Sequence, residues 1–308
     1  GKRGVNFYSG PQGARSALQF MDGALYVSYG GRFGDCGAYH GMVVQFQTSP
    51  AKLAASWETR AKGGGIWAQG GAASDGQSLF VTTGNTFDAQ TFEDGEAIVR
   101  LRPGLARSAS DADFFTPSNW KQLDDADADL GGTEALPFDI GVAKRLIAFG
   151  KDGNAYLVNR DRLGGVGGAI AETKLSNDAI ITAPAILETP GATMIAFANR
   201  GGCGANNVTM LKVTAGNAPI STAWCGAFRG RGAPIITTTD GSSNAVVWAV
   251  GAEGDNLLHG FNAANGQVVF AGGNAPMTGL HHFQTLIAAE GRLYVAADNR
   301  LYAFTFGR

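Results

Sequence analysis

The chain has 308 residues, with 24 Lys and Arg against 26 Asp and Glu, a net charge of −2, and 46 glycines. So even a balance carries no electrostatic footprint for nucleic acid or an anionic membrane surface, and no apolar run approaches the ~20 residues that cross a bilayer as a helix. Glycine at about twice its ordinary usage, with no collagen-like period, predicts many short strands joined by tight turns.

Gly1-Lys2-Arg3 opens the sequence without the apolar core of a signal peptide, so it reads as a mature or trimmed chain whose export signal has been removed. Val5–Tyr8 is the first apolar segment. Ala14–Phe20, rich in small residues, predicts an inner strand, and Leu25–Tyr29 after Asp22-Gly23 pairs with Met42–Phe46. Leu79–Thr83 after Asp75-Gly76 pairs with Ala97–Leu101, and Leu146–Phe149 pairs across Lys151-Asp152-Gly153 with Ala155–Val158. Ala183–Ile186 predicts another inner strand, followed by Met194–Phe197 with Val208–Leu211. Ala233–Ile236 precedes Ala245–Trp248 with Leu257–Phe261, and Asn265–Phe270 supplies a fourth segment. Leu293–Ala296 pairs across Asp298-Asn299 with Leu301–Phe304.

These units recur at roughly 50 residues, the period of propeller blades. The prediction is therefore an all-β chain: a single β-propeller domain over residues 1–308, made of four-stranded antiparallel blades, six of which are recognisable. A sandwich would not repeat its turn chemistry, and a β-helix repeats over a shorter length. The last unit lacks an outer strand, which Gly1–Tyr8 could supply to close a six-bladed ring. The alternative is that sequence before residue 1 completes seven or eight blades.

The stretches 150–160, 257–266 and 300–304 resemble the blade signature of the pyrroloquinoline-quinone-like (quinoprotein) propeller superfamily, DG-x-LYALD-x-x-TG. GGRFGDCGAYHGMVV (30–44), GGIWAQGGAASDG (64–76) and LDDADADLGG (123–132) are similar to a group of secreted bacterial members that are longer at the N-terminus. The resemblance covers nearly the whole chain. It implies the fold strongly and the activity weakly, because the superfamily holds quinone-dependent dehydrogenases as well as protein-binding scaffolds. The dehydrogenases present an adjacent Cys-Cys pair, a Trp beneath the cofactor and a Glu/Asn/Asp calcium cluster. Here Cys36, Cys203 and Cys225 are all separate, so the quinone is not expected, although Trp67 or Trp120 could form a stacking platform.

Cys203 and Cys225 flank one hairpin; a disulfide between them requires an oxidising compartment, which fits a secreted or periplasmic protein. Cys36 is the odd one.

Propeller ligands favour the channel rim, where loops entering the inner strands meet those joining the second and third strands. The candidate rim comprises Arg15, Asp35, Tyr39, His40, Trp67, Gln69, Asn85, Lys151, Asp152, Arg200, Arg231, His281 and His282. In the acidic run 124–129, Asp125, Asp127 and Asp129 alternate, an arrangement suited to calcium. Leu130 stands where such a loop needs Gly, and no Glu occupies its twelfth position, so amide capping by these Asp residues competes with the metal.

His281-His282 before the last inner strand should send one ring to each face. With His40 they raise zinc or copper, without the usual ligand spacing. Asp35, Cys36 and His40 together raise a thiolate nucleophile, and Tyr39 with His40 and Arg15 a lyase base, each on residue type alone. The Gly-rich runs 63–65 and 164–168 lack the Lys-Ser/Thr of a phosphate loop and read as loops. The function expected is non-catalytic binding of a carbohydrate or protein partner at the rim. The rival is a channel enzyme, either a quinone-type sugar or alcohol dehydrogenase or a polysaccharide lyase.

Overall fold

The computed structural model describes residues 7–33, 35–203, 206–273 and 275–306. The strands form six sheets among the described residues, each built on antiparallel strands that follow one another along the chain, with two short strands added at edges, the blade pattern of a β-propeller. The chain divides into two compact units: the described residues up to Phe138 with Lys144–Thr173, and Asp139–Ala143 with the described residues from Lys174 onward.

The first unit holds two blades and, apart from residues 139–143, a third. The first is Gln19–Met21, Ala24–Gly31, Met42–Thr48 and Ala51–Glu58, with Gln12–Gly13 added against the end of Ala24–Gly31. Its first hairpin pairs Met21 with Ala24 across Asp22 (φ 51°) and Gly23 (φ 73°), a two-residue turn with both centres left-handed, which suits the twist of the strands. The predicted inner strand Ala14–Phe20 is shorter because Ala17 leaves the sheet to donate its amide to the Gln69 carbonyl at 2.7 Å.

The second blade is Ala73–Ser74, Leu79–Thr82, Ile98–Leu101 and Phe114–Thr116; Gly165–Val166, predicted as loop, joins its outer edge in parallel. The third is Leu136–Ile140, Ala143–Phe149, Asn154–Asn159 and Ala171–Lys174. The middle strands of the second blade are buried along their whole length. Alternation explains why: Leu79, Val81, Val99 and Leu101 pack with Ala24, Tyr26 and Val43 of the first blade, while Phe80 and Ile98 point the other way onto Leu146, Ala148 and Tyr156 of the third.

The second unit repeats the scheme. Its blades are Ala185–Thr189, Ala192–Cys203, Asn206–Val213 and Ile220–Gly226; then Ile235–Thr237, Val246–Val250, Leu258–Asn262 and Val268–Ala271; then Ile287–Ala289, Arg292–Ala297 and Arg300–Thr305. Val247 and Ala249 face Val208 and Met210 of one neighbour, whereas Trp248 and Val250 face Leu293 and Val295 of the other. All six predicted hairpins pair as the sequence implied.

The last blade has three strands among the described residues. The segment expected to complete it, Gly1–Tyr8, lies outside the described residues as far as Asn6; Phe7 and Tyr8 belong to no strand, and the Phe7 ring lies 5.1 Å from that of Tyr29 in the first blade. No helix among the described residues is long and apolar enough to cross a membrane.

Candidate functional site

The first unit gathers Arg15, Trp67, Asn85, Asp127, Asp129 and Lys151 from segments far apart in sequence. Trp67 leads toward the inner strand of the second blade, Asn85 follows that blade's second strand, and Lys151 occupies the turn between the middle strands of the third. Asp129 ties them together. Its Oδ2 accepts the Trp67 indole N–H at 3.2 Å, its Oδ1 accepts the Asn85 amide at 2.7 Å, and the Lys151 ammonium lies 2.5 Å from Oδ2. Gly84 leaves the room: a Cβ there would come within 2.5 Å of Asp129 Oδ1.

Lys151 also reaches Asp127 at 2.8 Å and sits 5.2 Å from the centre of the Trp67 ring; the Arg15 guanidinium lies 5.5 Å from the same centre. Burial alone would lower the Lys151 pKa, but Asp129 and Asp127 outweigh it and hold the ammonium above its ordinary value. Arg15 is exposed and has no carboxylate partner among the described residues.

Beneath this surface lies a carboxyl that sequence reasoning did not select. Glu96 is fully buried, accepts the Leu130 amide at 2.6 Å through Oε2, and has no partner for Oε1 among the described residues. Burial first, and then the charge of Asp129, push its pKa well above the carboxylate range. Burial raises Asp129 as well, against the pull of Lys151. Of the pair Glu96 holds the proton, because Asp129 has the close cation and two N–H donors. Glu134, also unselected, is buried beneath Gly70, whose amide donates to it; burial raises its carboxyl to about 7. Beside Gly70, the side-chain amide of Gln69 is buried with neither atom partnered among the described residues.

The acidic run does not converge as a cation loop. Trp120–Asp125 is a short helix, on which Asp125 pairs with Lys121 and Asp124 turns inward to accept the Thr86 amide at 2.5 Å; Asp127 and Asp129 share Lys151. No group of three or more His, Cys, Asp or Glu among the described residues is placed to hold a metal ion.

Asp35 accepts the Tyr39 hydroxyl at 2.6 Å, and burial together with that bond pushes the phenol far above its ordinary pKa. His40 lies 2.8 Å through Nδ1 from the Thr59 carbonyl, so that nitrogen carries the proton. Asp152 accepts from Tyr156 and from the Asn154 amide within its own turn.

In the second unit Arg200, Arg231 and His282 line one cavity with Asp178 and Asn199. The two histidines lie in a turn rather than on a strand: His281 meets Asp298 at 2.8 Å, and His282 meets Glu253 at 2.7 Å. The hydrogen bond to Asp298 raises the pKa of His281.

The disulfide joins Cys203 to Cys225, tying the second strand of the fourth blade to its fourth with the Cα atoms 6.0 Å apart. Cys36 is exposed and lies outside that bridge.

The bridged cysteines are 22 positions apart rather than adjacent, and the Trp67 ring already has Lys151 and Arg15 beside it.

No family model matches the sequence, and no curated protein matches it. Solved structures do match. A periplasmic gluconolactonase of Pseudomonas aeruginosa is 12% identical over 98% of this chain and 82% of its own, with a TM-score of 0.55. The Dos1 propeller is 8% identical over 94% of this chain and 66% of its own, with a TM-score of 0.58. A chain of a mitotic checkpoint complex is 10% identical over 94% and 76%, with a TM-score of 0.55. At such identities the likeness shows the fold alone, and the fold is a β-propeller.

Proposed function

We propose that this chain is a secreted or periplasmic β-propeller that binds a carbohydrate, without transforming it, on the Arg15–Trp67–Lys151 surface of its first unit. The observation that carries this reading is the division of labour around Asp129. Both oxygens of that carboxylate hold the platform in place, leaving Arg15 as the exposed group without a carboxylate partner among the described residues. A ring fixed in advance loses little freedom on binding, and with the exposed Arg15 guanidinium beside it, it suits the apolar faces and hydroxyls of sugars.

Catalysis has less support. Glu96 is sealed from solvent, Asp129 is almost wholly buried, and the Tyr39 phenol is buried and holds its proton, so none of these three groups is placed to exchange a proton with a substrate. The disulfide supports the compartment.

Titration of the protein with a panel of neutral and acidic oligosaccharides, followed by tryptophan fluorescence, tests the reading. At least one glycan should give a saturable change that Trp67→Ala and Arg15→Ala each weaken by about tenfold. Gluconolactone, the substrate class named for one structural neighbour, should be hydrolysed no faster than in buffer. Equal binding by wild type and Trp67→Ala, or turnover of the lactone, would overturn the proposal.

A further inference from the structure

The cavity of the second unit has a volume of about 150 Å³ and is bordered by Asp178, Thr182, Asn199, Arg200, Arg231 and His282. Its charges are unevenly matched. His282 is held by Glu253 at 2.7 Å, and Asp178 is exposed, one of its oxygens accepting the Ala179 amide at 2.9 Å. Neither the Arg200 nor the Arg231 guanidinium has a salt-bridge partner among the described residues, although the charge of Arg231 is felt at Glu253; the hydrogen bonds of both arginines run through their main chains. Both arginines border one cavity, and a guanidinium suits a planar carboxylate because it presents paired N–H donors.

Asn199 adds an acceptor. It is 5% exposed, its Nδ2 donates to Ser176 Oγ, and its Oδ1 is buried with no donor among the described residues. Buried carbonyl oxygens are normally paired, so an unpaired one bordering a cavity calls for a donor from outside the chain. A carboxylate offers no proton to it, and a hydroxyl does. The volume lies below the roughly 300–1,000 Å³ of drug-sized sites and suits a single small unit.

We infer that this cavity is a binding site for a hydroxy-carboxylate of about monosaccharide size, its carboxylate on Arg200 and Arg231 and a hydroxyl donating to Asn199. A free sugar acid and the terminal uronate of an acidic glycan share this chemistry. The site stands on residues of the second unit and does not depend on the platform around Trp67.

The test is calorimetric titration of the full chain with D-galacturonate, D-galactose and a galacturonate trisaccharide. Galacturonate should bind saturably and galactose at least about tenfold more weakly, the difference expected from charge-assisted hydrogen bonds. Arg200→Gln and Arg231→Gln, which remove no side-chain hydrogen bond recorded within the chain, should each weaken galacturonate by a similar factor, with the melting temperature checked for each. Trp67→Ala should leave this binding unchanged, which separates failure here from failure of the first-unit platform. Tighter binding of the trisaccharide identifies the ligand as a glycan end, and equal binding identifies it as a free acid; either supports the site. Absence of galacturonate binding, equal binding of galactose, or wild-type affinity in both arginine variants overturns it.

Discussion

Asp129 and Glu134 show how two buried carboxyls differ by the partners each is given. Asp129 is buried with a cation and two N–H donors, so its charge is matched where it lies. Glu134 is buried with backbone amides alone, and its Oε2 has no partner among the described residues, so burial raises its pKa from 4.5 to about 7. A carboxyl whose folded-state pKa lies above its unfolded value holds its proton more tightly in the native chain. Its contribution is therefore complete below the unfolded value and is lost as pH rises through the folded one. Glu134 should cost about 3 kcal/mol of stability between pH 4.5 and about 7, and nothing further above that. Asp113 works in a separate window: despite its burial, hydrogen bonds from Arg102, Ser108 and Arg100 hold it at about 2, so its contribution is lost as pH falls below the ordinary Asp value. Glu134→Gln, which resembles the protonated acid, should match wild type near pH 4.5 and exceed it by up to about 3 kcal/mol at pH 8 in urea unfolding. Equal stability of the two proteins at pH 8 would show that folding does not raise the Glu134 pKa.

At the level of elements, the hairpins were readable because each combines a β-branched or aromatic run with a turn that demands special backbone. Asp22-Gly23 is the plainest case, and Glu290-Gly291, at φ 50° and 70°, repeats it in the last blade. The short helix Trp120–Asp125 was not readable: its last residue falls in the alternating run Asp125, Asp127 and Asp129, whereas the helix sends Asp124 inward to Thr86 and leaves Asp125 outside on Lys121. Glu96 and Glu134 were hidden for another reason. Glu96 has a left-handed backbone at φ 50° that nothing in the sequence announces, and both carboxyls are buried only in the folded chain. The nearby signals are small residues, Gly95 before Glu96 and Gly70 above Glu134, and they acquire meaning once the carboxyl's position is known.

The disulfide was legible from its position around one hairpin. It closes a sequence separation of 22 across the fourth blade, and in the chain-entropy view such a loop contributes roughly 3 kcal/mol. Cys203→Ser with Cys225→Ser should lower stability by about that amount in urea unfolding, and added reductant should lower wild type alike while leaving the double variant unchanged. A variant as stable as wild type would mean that the bridge adds nothing to the blade.

For the molecule as a whole, the charge balance of 24 against 26 leaves a net −2, so attraction of a polyanion would have to come from a local concentration of cations. The two sites contain none of the necessary extent. In the first unit Lys151 is neutralised by Asp127 and Asp129, leaving Arg15; in the second, Arg200 and Arg231 stand beside Asp178 and a Glu253-bound His282. Polyanion affinity grows from many phosphate contacts that each release a counterion, and it falls steeply with salt. One carboxylate held by two guanidiniums draws instead on short-range geometry. Duplex DNA should therefore migrate unshifted with the protein at physiological ionic strength, and galacturonate binding should survive in the same buffer. A DNA shift abolished by Arg200→Gln would show that those arginines form part of an extended basic surface, which their neighbours in the fold do not supply.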